Sequence, residues 1–136
     1  MKFNNIVPPL AGQKEVFVLV EDSIREFLSG INVTLFAYGQ TGAGKTYSVI
    51  GNYSPNESTE NLFNFLSSKE RGVLSRSLEL IMKFAESYDK GYLRMSISFF
   101  EIYNEKIFDL FNNTLAPLDI RESKNGEISI LGLANI

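Results

Sequence analysis

The octapeptide Gly39-Gln40-Thr41-Gly42-Ala43-Gly44-Lys45-Thr46 sharply narrows the folds open to this chain of 136 residues. It follows the pattern G-x-x-x-x-G-K-[ST], which works as a phosphate cradle only with a strand before it and a helix after it. Both flanks can be read in the sequence. Val33-Thr34-Leu35-Phe36-Ala37-Tyr38 is β-branched and aromatic, as a buried strand is, and a helix can start at Lys45. A chance match in a chain this long is on the order of 1 in 200 at ordinary residue frequencies.

Each residue type in the loop has a task. Glycines at 39, 42 and 44 allow positive φ and let the backbone approach a ligand closely. The turned backbone aims N–H groups inward, where the start of the helix adds partial positive charge. Lys45 supplies a full charge for β- and γ-phosphates, and the Thr46 hydroxyl is placed to ligate Mg²⁺. Tyr47, directly after, packs either on an adenine ring or on its own helix.

Composition removes several function classes. A net charge of −3 and a pI near 5.0 argue against a general nucleic-acid or anionic-membrane binder. With no Cys and no His, disulfides, thiol chemistry, imidazole catalysis and the usual zinc sites are out of reach. The stretch Met1–Pro9 carries two prolines and no long apolar core, so it does not read as a signal peptide. No apolar run approaches membrane-spanning length. A soluble, cytoplasmic protein of one domain, or part of a larger domain, is expected.

Along the chain, residues 3 to 12 read as a short strand ending in a Pro-Pro turn. Gln13 to Ser29 reads as a helix, with Val16, Phe17, Val20, Ile24, Phe27 and Leu28 at three- and four-residue steps and Gly30 to end it. A helix from Lys45 to Ile50 is interrupted by a polar, turn-rich insert, Asn52 to Arg71, within which Leu62, Phe63, Phe65 and Leu66 suggest one packed turn. Val73 to Tyr88 reads as an amphipathic helix, and Leu93 to Tyr103 as a long strand, with a second apolar patch at Ile107, Phe108 and Leu110. Segments 118–122 and 127–131 form a hairpin around Lys124-Asn125-Gly126, where Asn-Gly signals the turn.

Other charged residues carry less chemistry. Glu101 and Glu105 flank Tyr103-Asn104 and read as turn-fixing groups rather than an acid–base pair. Arg94 and Arg121 read as cations of a solvated sheet face. Phosphate-loop enzymes also need an acidic residue at a strand end to hold Mg²⁺ through water, and a segment that senses the γ-phosphate. Asp109 follows Ile107-Phe108 but lacks the glycine hinge of that role.

Two stretches together resemble the kinesin motor domain. Phe36 to Tyr47 is similar to the kinesin loop F-A-Y-G-Q-T-G-[AS]-G-K-T, and Ser98 to Leu110 is similar to the signature S-[FLY]-x-E-I-Y-N-E-x-[IL]-x-D-L-L. Phe3–Pro9, Gln13–Gly30, Gly72–Arg76 and Leu118–Leu133 resemble further kinesin segments in the same order. Ser75 stands where proline is usual, and Ser54-Pro55-Asn56-Glu57 is similar to a tetrapeptide of bipolar mitotic kinesins. The resemblance covers nearly all of this chain but less than half of a motor domain. The R-x-R-P segment, both switch motifs (N-x-x-S-S-R-S-H and D-x-A-G-S-E) and the principal microtubule-binding helix have no counterpart in it.

The resemblance implies an α/β fold of the P-loop NTPase type, a mixed central sheet flanked by helices, incomplete, with residues 1–136 as one partial motor domain. It implies ATP and Mg²⁺ as cofactors. Residues Gly39, Gln40, Thr41, Gly42, Ala43, Gly44, Lys45 and Thr46 would lie on the phosphates, Thr46 on Mg²⁺, and Tyr47 near the adenine. Microtubules are the implied partner, with Arg121 and Lys124 as contacts to tubulin, and the cytoskeleton the implied location. No catalytic residue is expected within the chain, so ATPase activity should be negligible. The alternatives are a non-hydrolysing module that docks on tubulin or a motor partner, and an unrelated phosphate-loop enzyme such as a small kinase. As a half-sheet from a larger domain, the chain is expected to be poorly soluble or molten.

Overall fold

A computed structural model describes residues 3–52, 66–88, 93–112 and 116–136. The chain divides into two units, Met1–Lys90 and Gly91–Ile136, each with its own packing.

The first unit is helical. Helix α1, Gln13–Leu28, starts where Gly12 is extended and the Glu15 carboxylate accepts the Gly12 N–H at 3.0 Å, satisfying a donor the helix leaves free. It ends as the sequence predicts, at Gly30, whose φ of 97° reverses the chain. Gly30 N–H bonds to Phe27 and Ile31 N–H to Glu26, a Schellman closure that absorbs the last carbonyls. Helix α2, Lys45–Val49, has five residues, and helix α3, Val73–Glu86, has fourteen. Helices α1 and α3 pack together, and Val16, Val20 and Ile24 of α1 with Val73, Leu74 and Ser77 of α3 line a cavity of about 360 Å³. Ile24 is the buried apolar residue here, so the core is thin.

The insert 52–71 returns to the unit through Arg71. Its guanidinium bonds to the Leu66 carbonyl and pairs with Glu79 of α3, while Arg76 donates to the carbonyls of Arg71 and Lys69. Lys83 first, and then Arg71, holds the Glu79 carboxyl below the usual carboxylate range. The tetrapeptide Ser54–Glu57 and the apolar residues Leu62, Phe63 and Phe65 lie outside the described residues.

The second unit is built of hairpins. Strands β1, Phe100–Tyr103, and β2, Lys106–Asp109, pair antiparallel, Phe100 opposite Asp109 and Tyr103 opposite Lys106. The two-residue loop Asn104-Glu105 has φ of 49° and 62°, the signature of a type I′ turn, so the turn lies at this stretch but is set by backbone conformation, with Glu101 inside β1 opposite Phe108. Strands β3, Ile120–Glu122, and β4, Ile128–Ile130, form the second hairpin, whose loop turns at Gly126 with φ 79°. There the Ser123 hydroxyl oxygen accepts N–H groups from Asn125 and Glu127. The predicted hairpin is present where the Asn-Gly pair put it.

Three expected strands are not formed as predicted. Residues 3–12 hold a turn, closed by Ala11 N–H to Pro8 at 3.0 Å, but no strand. Val33–Tyr38 has no ladder partner among the described residues, and Phe36 is 83% and Tyr38 94% exposed. Of 93–103 only the last four residues pair as a strand. Upstream, Ile97 exchanges both backbone hydrogen bonds with Ile136, at 2.8 and 3.0 Å. The reason is common to all three. Extended backbone becomes strand only beside a partner that takes its N–H and C=O groups. Among the described residues the paired strands therefore form two separate two-stranded sheets instead of one mixed sheet.

Candidate functional site

The phosphate loop runs from Gly39 to the first turn of α2. Gly42 and Gly44 have φ of 81° and 87°, so both need glycine for their conformation. A Cβ at either would meet nothing within 4 Å, so the space above the loop is open. At Gly39 the demand is steric, because a Cβ there would touch the Ala43 Cβ at 3.0 Å. A turn from Gln40 to Ala43, closed at 3.1 Å, and the bond from Ser48 N–H to Gly44 at 2.9 Å join loop and helix.

Lys45 is folded back over the loop. Its ammonium donates to the carbonyls of Gly39 and Gln40, each at 2.8 Å. Gln40, Thr41, Gly42, Ala43, Thr46 and Tyr47 are all exposed. The nine predicted residues, Gly39 to Tyr47, thus form the loop and the first turn of α2, six of them exposed. These groups suit a polyphosphate with its cation: turned glycines, one ammonium at the loop, and an exposed hydroxyl at the helix start.

Arg121 and Lys124 lie in the second unit. Arg121 is in β3 opposite Ser129, Lys124 is in the adjoining turn, and both are exposed. Neither takes part in the ion pairs seen among the described residues, which join Arg25 to Glu21 and Glu79 to Arg71 and Lys83.

Asp109 has a different task from metal binding. It is 5% exposed, and its two carboxylate oxygens accept Phe111 N–H and Ala134 N–H, each at 2.8 Å. The Ala134 bond is the main cause of a pKa below the usual aspartate value; burial opposes it, and the N–H groups of Phe111 and Asn112 add to the lowering. Glu101 is exposed in β1, opposite Phe108.

Sequence reasoning missed two supports of the site. Gln13 is 3% exposed and donates from Nε2 to the Tyr47 carbonyl at 2.6 Å. Gly51 and Gly72 cross behind α2, where the Gly72 N–H bonds to Ile50 at 2.8 Å and Asn52 N–H to Glu70 at 3.1 Å. Neither support leaves a periodic signal. The available hint was a polar residue opening an otherwise apolar helix face.

A family profile described as the kinesin motor domain matches residues 1–136. Kinesin-like protein KIN-14M of Oryza sativa subsp. japonica is 41% identical over 114 residues, which are 83% of this chain and 9% of that protein. Protein claret segregational of Drosophila melanogaster is 32% identical over 130 residues, 94% of this chain and 16% of that protein. A solved structure of a fast kinesin, described in terms of ATPase mechanism and interactions with microtubules, superposes on all of this chain with a TM-score of 0.77 and 30% identity. This chain covers 36% of that one. The likeness establishes a P-loop NTPase fold with mixed helices and strands, represented here in part. Local unpairing of the strands does not alter that class. On the profile, the relatives and the shared fold together, this chain belongs to the kinesin motor domain family.

Proposed function

We propose that this chain is the ATP-binding part of a kinesin-like microtubule motor. The observation that carries the reading is the loop itself: two left-handed glycines, with the Lys45 ammonium held on the Gly39 and Gln40 carbonyls. Lys45, released from the Gly39 and Gln40 carbonyls, would hold ATP phosphates together with backbone N–H groups of residues 39 to 46. Thr46 ligates Mg²⁺, which when bound neutralises charge on the β- and γ-phosphates. Tyr47, exposed directly after the loop, would lie near the adenine. Location at the cytoskeleton follows from the same reading, and no helix of the described residues is long and apolar enough to cross a membrane.

Turnover by this chain alone should be negligible. Phosphoryl transfer depends on positioned water and on charge stabilisation around the γ-phosphate. Among the described residues, Asp109 at the end of β2 is spent on backbone N–H groups and is not free to place water. The test is titration of the full chain with a fluorescent ADP and Mg²⁺, beside Lys45→Ala. Magnesium-dependent binding that Lys45→Ala abolishes supports the reading; equal binding by both sinks it. ATP turnover near that of an intact motor would refute the second half.

The exposed pair Arg121 and Lys124 favours a second reading, a module that docks on tubulin without turnover. Cosedimentation with microtubules, lost on Arg121→Glu with Lys124→Glu, supports docking. No pelleting of the unaltered chain rules it out.

A further inference from the structure

Tyr47 carries a backbone carbonyl that its own helix leaves unsatisfied. In a continuing helix the Gly51 N–H would serve it. Here the N–H groups of Ile50 and Gly51 both turn to Thr46, at 2.8 and 3.4 Å. The helix has no way to continue, because Gly51 has φ 107° and a Cβ on it would lie 2.2 Å from the Glu70 carbonyl oxygen. A carbonyl orphaned in a last turn needs an outside donor. Gln13, the first residue of α1 and 34 positions earlier, supplies its side-chain amide at 2.6 Å. The Gln13 Oε1 has no donor among the described residues, so the bond to Tyr47 is what fixes this buried amide.

What the bond holds is the helix that begins with Lys45 and Thr46. Five residues are too few to hold a helical geometry by themselves, so the orientation of α2 comes from contacts outside it. One is the crossing at Gly51 and Gly72. Packing of α2 on α3 is a second, and Gln13, which acts on the residue adjacent to Thr46, is a third. We propose that Gln13 is a positioning residue for the nucleotide: it clamps the last turn of α2 and so sets where Lys45 and Thr46 meet the phosphates and the metal. This rests on the nucleotide-binding reading above. Gln13 touches no ligand and acts through Tyr47.

The experiment uses the full chain and a fluorescent ADP with Mg²⁺. Gln13→Met keeps the length of the side chain and donates nothing; Gln13→Glu keeps the shape and sets an acceptor against an acceptor. Ile24→Val serves as a control that loosens α1 by a comparable amount without touching Tyr47. Tyrosine labelled with ¹³C at the carbonyl and serine with ¹⁵N report two residue pairs, Tyr47-Ser48 and Tyr53-Ser54, told apart by Tyr53→Phe. Both Gln13 variants should move the Tyr47-Ser48 signal and weaken ADP binding roughly three- to tenfold, the effect of one hydrogen bond. Ile24→Val should leave both readouts in place.

A moved signal with unchanged affinity overturns the proposal, since Gln13 would then be structural only. So does an unmoved signal, or an equal loss of affinity in Ile24→Val. If Gln13→Met does not fold, Gln13→Glu decides between the same outcomes. A chain that binds no ADP at all defeats the nucleotide reading and the proposal with it; a signal still moved by Gln13→Met would show that the clamp exists and that the ligand was the error.

Discussion

The Lys45 ammonium donates to the Gly39 carbonyl at 2.8 Å, reaching back over the loop that a ligand would have to enter. With its second bond, to Gln40, the side chain fastens the loop to its own helix. The charge is thereby kept at the loop with no ion pair among the described residues, and the two carbonyls are weaker partners than phosphate oxygens. Lys45→Met should therefore loosen the loop even without ligand. Hydrogen exchange of residues 39–44 should speed up while α1 stays as protected as before. Unchanged exchange in the loop would mean that these bonds do not order it.

Gly51 is under a double demand, a φ of 107° and backbone 2.2 Å from where a Cβ would stand. Ala in its place needs both a strained conformation and a shift of the strand-like crossing with Arg71. Gly51→Ala should cost more than about 2 kcal/mol, read as a lower urea midpoint by circular dichroism. Gly42→Ala, where φ is also positive but the space is open, should cost less. Equal losses at the two sites would show that the crossing relaxes freely.

Asp109 makes the second unit sensitive to acid. Its folded pKa lies below the unfolded value, because the Ala134 N–H favours the charged form. The ionised carboxylate therefore contributes stability that is complete above the unfolded pKa, about 4. That contribution is lost as pH falls through the lower, folded pKa. The Ala134 amide resonance should follow this titration, and Asp109→Asn should remove the pH dependence. A signal flat from pH 6 to 2 would count against the bond.

Ile102 and Ile128 are 70% and 73% exposed on short strands of two-stranded sheets, each with an edge that has no strand beside it among the described residues. Unpaired, apolar strand edges recruit further strands. The chain should self-associate as its concentration rises, and Ile102→Thr with Ile128→Thr should suppress this in sedimentation velocity. A monomer at all accessible concentrations would mean that these faces are harmless.

How far the sequence reaches depends on the range of the force involved. Loop, helices and the hairpin of β3 and β4 were legible because their causes lie within a few residues, whereas the β1–β2 hairpin, turning on Asn104-Glu105 without a glycine, was not. Glycines supply left-handed conformations at 42, 44 and 126, Gly30 closes α1, and the apolar spacing of Val16, Val20 and Ile24 marks one face of a helix. The fold family was legible for the same reason, since its motifs are contiguous strings. Tertiary structure alone decided what bridges distant positions: Gln13 on Tyr47, Gly72 against Val49 and Gly51, and Asp109 holding Ala134. It also decided which extended segments became strands. Val33–Tyr38 has the composition of one, but composition supplies only the preference, and a ladder needs a second chain segment to accept its hydrogen bonds.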